Sequence, residues 1–152
     1  MTKYRRLTVE ELDEMQQEFI HYLVANGIEA KDWKRLKEKD ESQAQLWIDS
    51  FSDVVIQKVL EGVKYIEHRT SNESKLFECL PDEIRLIGLR SEEVDLLDSE
   101  QLAAAANNPG KVELFKGVKK YSKKREDELF ELLQSGGEIS DGKMYLLLKQ
   151  MV

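Results

Sequence analysis

The sequence holds few of the residues that usually carry chemistry. It has one cysteine, two histidines and two prolines in 152 residues. A lone Cys79 excludes an intramolecular disulfide and fits a reducing compartment. His21 and His68 stand alone, with no HxxxH, HExxH or CxxC spacing, so no template for a metal or cofactor is present. Glu67 adjoins His68, but strand neighbours point to opposite faces. The glycines form neither GxGxxG nor GxxxxGK[ST], so no phosphate loop is expected. The longest unbroken apolar run, Leu102 to Ala106, is far too short to span a bilayer. The opening MTKYRRLTVEELDEM has no apolar core and does not read as a secretory signal. The expectation is a cytoplasmic protein that does not enter membranes.

Apolar and charged residues, by contrast, are plentiful. Hydrophobic residues make up 41% of the chain and charged residues 35%, with a net charge of −7. That balance supports a folded core and disfavours general nucleic-acid binding. A chain of this length can bury roughly 70% of its unfolded surface without a disulfide or metal. The reading is one domain over residues 1–152, with 111–152 as a candidate helical appendage.

Helix signals dominate. Thr8 and Glu11 form a capping box, and Leu12, Met15, Phe19, Tyr22 and Leu23 make the stripe of a first helix that stops at Asn26-Gly27. Lys31 to Lys39 reads as a short helix laid over the first through Trp33 and Leu36. Asp40 caps a long helix ending near Gly62, with Ala44, Trp47, Ile48, Phe51, Val54, Val55 and Val59 as its stripe. Asp98 and Gln101 open a helix through Ala106. Asn107-Asn108-Pro109-Gly110 is the clearest breaker. Ser122 is expected to cap a helix over Lys123–Gln134. Ser140 is expected to cap the last helix, completing a hairpin across GGEIS.

Between them, Val63–Arg69, Lys75–Leu80 and Glu83–Leu89 suit three antiparallel strands. A turn at Pro81-Asp82 sets Cys79 opposite Ile84, Phe77 opposite Leu86, and Glu78 opposite Arg85. Val63 and Tyr65 are expected on the Phe77 face. Ile66, His68, Leu76, Leu80 and Ile87 make the other face, too apolar to be left in water. That face therefore needs a later helix or a partner to cover it. The fold class is α+β and helix-dominated: N-terminal helices, a three-stranded meander and a C-terminal helical hairpin.

The most distinctive stretch is KVELFKGVKKYSKKR, Lys111 to Arg125. Lys116, Lys119, Lys120, Lys123, Lys124 and Arg125 surround Phe115 and Tyr121, a mixture that can hold a nucleic-acid backbone and stack on bases. A solvated lysine face is the plainer reading. Residues 111–121 fit a helix or a strand. Glu92, Glu93, Asp95 and Asp98 lack the alternation of a calcium loop and read as a solvated acidic loop. Cys79 reads as a small buried hydrophobe.

The segments YRRLTVEELDEMQQEFIHYLVANGI, FSDVVIQKVLEGVKYIEHR and KREDELFELLQSGGEISDGKMYLLLK resemble a family of short uncharacterised Bacteroidetes proteins grouped as a domain of unknown function. The resemblance implies a bacterial cytoplasmic protein and no particular activity.

These features favour a non-enzymatic protein-interaction or regulatory module, binding a protein partner or a second copy. Its expected surfaces are Ile66, His68, Leu76 and Ile87, and the basic patch Lys116, Lys119, Lys120, Lys123, Lys124 and Arg125. RNA binding through 111–125 is one alternative. An enzyme with dispersed residues around His68 and Glu78 is another.

Overall fold

The computed structural model describes residues 1–106 and 109–151. The chain divides into two compact units, Met1–Glu61 and Gly62–Val152.

The first unit is helical: α1 (Val9–Glu14), α2 (Gln16–Ala25), α3 (Ala30–Lys39) and α4 (Glu41–Glu61). Thr8 and Glu11 form the reciprocal capping box their spacing calls for. The expected single first helix is two, broken at Met15 (φ −107°, ψ 25°). Phe19 joins the helices. Its ring lies edge-on to Trp33 of α3 at 5.1 Å and against Phe51 of α4 at 5.0 Å.

Helix α4 buries Ala44, Phe51, Ile56 and Leu60, while Val54 and Val59 are half exposed. The buried stripe is thus turned from the one expected. A polar row on α4 explains the turn, because it draws the N-terminal segment onto this side. Ser52 Oγ accepts from the Leu7 amide at 3.0 Å and donates to the Ile48 carbonyl at 2.7 Å. Asp53 accepts from the amides of Lys3 and Tyr4. Buried Asp49 meets the Arg6 guanidinium at 2.5 Å, which holds its carboxyl below the usual range.

The second unit is built on an antiparallel sheet of β1 (Tyr65–Arg69), β2 (Glu73–Cys79), β3 (Glu83–Arg90), β4 (Glu113–Lys120) and β5 (Glu138–Ser140). The spatial order is β4-β3-β2-β1-β5. The meander is present, and β2 pairs with β3 through Cys79–Ile84, Phe77–Leu86 and Glu78–Arg85 as the turn requires. Residues 111–121 are mostly strand rather than helix. Segment 111–152 supplies both outer strands of the sheet. The expected C-terminal hairpin is interrupted by β5, which lies between α6 (Arg125–Gln134) and α7 (Lys143–Lys149). Lys124, not Ser122, is the N-cap of α6, and Gly142 (φ +81°), not Ser140, is that of α7.

The faces are sorted by the β1 register, which is one residue away from the expected one. Tyr65 stands opposite Glu78 and Ile66 opposite Phe77. Tyr65 therefore shares a face with Leu76, Glu78, Arg85 and Ile87, whereas Ile66 and His68 lie behind it with Phe77 and Cys79. A one-residue slip moves every side chain to the other face. Alternation along β1 is too weak to fix its register, since Val63, Tyr65 and Ile66 are all apolar.

The Leu76–Ile87 face is covered by the chain itself. With Leu89 it packs against Leu96, Leu102 of α5 (Ser99–Ala106), and Tyr145 and Leu148 of α7. Burying such a side chain contributes about 1.5–3 kcal/mol. The opposite face is tied to α6, where Lys119 reaches Glu128 at 2.7 Å. Gly137, just beyond α6, lies so close to Ile66 that a Cβ there would stand 2.9 Å from its Cγ2. The breaker residues Asn107 and Asn108 fall outside the described residues.

Candidate functional site

The sequence-derived surface Ile66, His68, Leu76 and Ile87 is not a surface. Ile66 and Leu76 are fully buried, Ile87 is 5% exposed, and they occupy two faces. His68 lies behind Leu76, under the turn after α6, where a Cβ on Gly136 would stand 2.8 Å from its Nε2. Glu78 is on the other face, so His68 and Glu78 share no site. Among the described residues no cluster of three His, Cys, Asp or Glu is placed to hold a metal ion. The thiol of Cys79 is pushed up to about 11 by burial, which leaves it an inert thiol at neutral pH.

The basic stretch is divided by strand alternation and by ion pairing. Lys116 and Lys120 point to the Leu76–Ile87 face, and Lys119 points to the other. Lys119 pairs with Glu128, and Lys123 pairs with Glu131. Lys124 is exposed. Arg125 is architectural: its guanidinium donates to the carbonyls of Val63, Cys79 (3.1 Å) and Leu80 (3.2 Å), holding the ends of two strands. Tyr121 donates to the same Leu80 carbonyl at 2.8 Å.

The remaining cations of this stretch stand by an exposed edge. Strand β4 pairs with β3 along its whole length, from Glu113–Arg90 to Lys120–Glu83. Among the described residues its other side has no strand neighbour. Seven of its eight residues are exposed, Val118 by 66%. An exposed edge of this length offers unpaired backbone groups, and natural sheets commonly guard such edges with lysine. At this end Ser91 Oγ donates to the Lys111 carbonyl at 2.7 Å.

Residues 1–152 match the DUF6495 family, described as a family of unknown function. The chain belongs to that family. No curated protein and no solved structure matches it.

Beside β4, α7 and the sheet enclose a groove of about 530 Å³. Its walls include two cross-strand pairs, Arg85–Val118 and Ile87–Lys116, and the α7 residues Tyr145 and Lys149. Spaced four apart, Tyr145 and Lys149 share one side of the helix. The Tyr145 hydroxyl reaches Glu78 Oε1 at 3.4 Å, and burial followed by that carboxylate raises its pKa, keeping it a donor. Arg85 Nη2 lies 3.5 Å from Glu83, while its buried Nε has no hydrogen-bond partner among the described residues. Lys116 and Lys149 form no ion pair among the described residues. Their place in one groove could not be found in sequence, because Lys149 lies outside the basic run and reaches it only through α7 packing. No helix among the described residues is long and apolar enough to cross a membrane.

Proposed function

We propose that this protein is a non-enzymatic interaction module of the bacterial cytoplasm, and that β4 is where it takes its partner. The partner is an acidic, extended segment of another protein, added to the sheet as a strand. One observation carries the reading: β4 is a long exposed edge whose outward groups are lysines in a protein of net charge −7. In strand addition, main-chain hydrogen bonds give affinity and alternate side chains give specificity. Val118 offers the apolar contact, and Lys116 and Lys120 offer the charge complement on one face. A second copy suits the edge less well, since two such strands would bring lysine-rich edges together. The free, buried Cys79 suits a reducing cytoplasm.

RNA binding is less well supported. Its three strand lysines are split between two faces, Lys119 and Lys123 pair with carboxylates of α6, and Arg125 is engaged with carbonyls. A backbone-tracking groove needs its charges on one surface.

Selection from a library of short displayed peptides tests the proposal. Enriched peptides should alternate Asp or Glu with Val or Ile, and binding should slow amide exchange across Glu113–Lys120. Lys120→Glu should weaken binding by about tenfold, the loss expected of one charge contact. Enrichment of basic peptides, or binding that leaves β4 exchange unchanged, would overturn it.

A further inference from the structure

We infer that the groove between α7 and the β3–β4 ladder is a binding site for a small phosphate monoester with an apolar body. Its volume of about 530 Å³ falls within the usual range of small-molecule sites, roughly 300–1,000 Å³. The sheet side is set by the pairs Arg85–Val118 and Ile87–Lys116, which put a cation beside an aliphatic side chain twice. The helix side brings Tyr145 and Lys149 one turn apart. The arrangement is a cleft lined by apolar side chains and by lysines from two elements.

Charge selects the ligand. Arg85 is balanced by Glu83, and the Glu78 carboxylate, which accepts from Tyr145 and keeps its charge, does not line the groove. What remains is Lys116 and Lys149, two cations without an ion pair among the described residues. A phosphate monoester carries a charge of about −1.5 to −2 at pH 7, which matches two ammonium groups better than a monovalent carboxylate does. Arg85 adds an unused donor in its buried Nε. An aromatic or aliphatic body can lie on Val118, Ile87 and the ring of Tyr145. Lys149 is outside β4 and Lys120 is outside the groove, so this site and the peptide edge can be tested apart.

Phenyl phosphate is the probe, followed by amide-detected NMR at pH 7 on the full chain. Saturable shifts should appear at Ile87, Gly117, Val118 and Tyr145. Phenol, benzoate and inorganic phosphate should each bind more weakly, since each lacks one half of the match. Lys116→Met and Lys149→Met should each weaken phenyl phosphate by about tenfold, the loss expected of one charge-assisted contact. Lys124→Met, at an exposed lysine outside the groove, should leave it unchanged. Equal binding of phenol or of benzoate would overturn the assignment. So would shifts scattered over the lysine surface, or affinity that survives both groove substitutions.

Discussion

The ring of Phe115 lies directly across Gly88. The two residues are paired between β4 and β3, and a Cβ on Gly88 would stand 2.1 Å from the ring's Cζ. Arg90, two residues on, places its guanidinium 4.9 Å from the ring centroid. Glycine is required here for space, so that an aromatic ring can fill the missing side chain of its neighbour. The contact fastens the edge strand to the sheet.

Gly88→Ala should therefore expel the ring and destabilise the second unit by about 1–3 kcal/mol, the usual cost of overpacking. Gly117→Ala is the control, because a Cβ there meets open space. Its effect should stay within about 0.5 kcal/mol, as for ordinary surface changes. Urea denaturation measures both, and equal losses would remove the special role of the ring.

Arg125 ties three carbonyls at the ends of β1 and β2 to the start of α6. Arg125→Met should cost about 2–4 kcal/mol, because hydrogen bonds to charged groups are worth roughly 1.5–3 kcal/mol and partly buried carbonyls lose their donor. Arg125→Lys should recover only part, lacking the planar fork. Full recovery in thermal melts would reduce the clamp to a simple charge effect.

Burial raises the Cys79 thiol to about 11 from an ordinary 9.0. The unfolded chain then loses this proton first as pH rises. Cys79 contributes its stability fully below about pH 9 and loses it as pH climbs through 11. Half-buried Tyr121, raised to about 12, adds to the same alkaline loss. Cys79→Ala should flatten the slope of unfolding free energy between pH 9 and 11. In the native protein, thiol reagents should react with Cys79 only on the timescale of opening. Rapid labelling at pH 8 would contradict the burial.

At the acid end, Glu11 is held at about 2 by Arg5 and then by the Thr8 amide. A depressed carboxyl stabilises above its unfolded value of 4.5 and loses that contribution as pH falls toward 2. Glu11 is well exposed, so the effect is modest. Thr8→Ala should cost about 1 kcal/mol through loss of the cap. Glu11→Gln should reduce the acid dependence of the first unit's helical signal, followed by circular dichroism, while Asp49 keeps its own share.

Local signals were readable from the sequence, and distant ones were not. Thr8 and Glu11 announce a capping box because the interaction spans three residues. Pro81-Asp82 fixes the β2–β3 register for the same reason. The register of β1 depends on pairing with β2 across a longer loop, and three apolar residues in four gave it no direction. Helical spacing in Val112, Phe115 and Val118 concealed a strand, whose clue was Gly88 awaiting a ring. The candidate site divides the same way. The lysines of β4 stand out as a run, but which of them ion pairs consume depends on α6. Lys149 joins them only through tertiary packing.

The sheet order carries a consequence for synthesis. Strand β1 is the first made, yet its outer neighbour β5 is the last, and Tyr65 waits for Ser140. Leu96 and Leu102 can cover Leu76 and Ile87 early, but the rest of that cover, Tyr145 and Leu148, arrives later still, on α7. A nascent chain therefore holds an open sheet until nearly all of the second unit has left the ribosome. Chains interrupted before Ser140 would present a bare strand edge and a leucine face only partly covered, which is the surface that chaperones and proteases recognise.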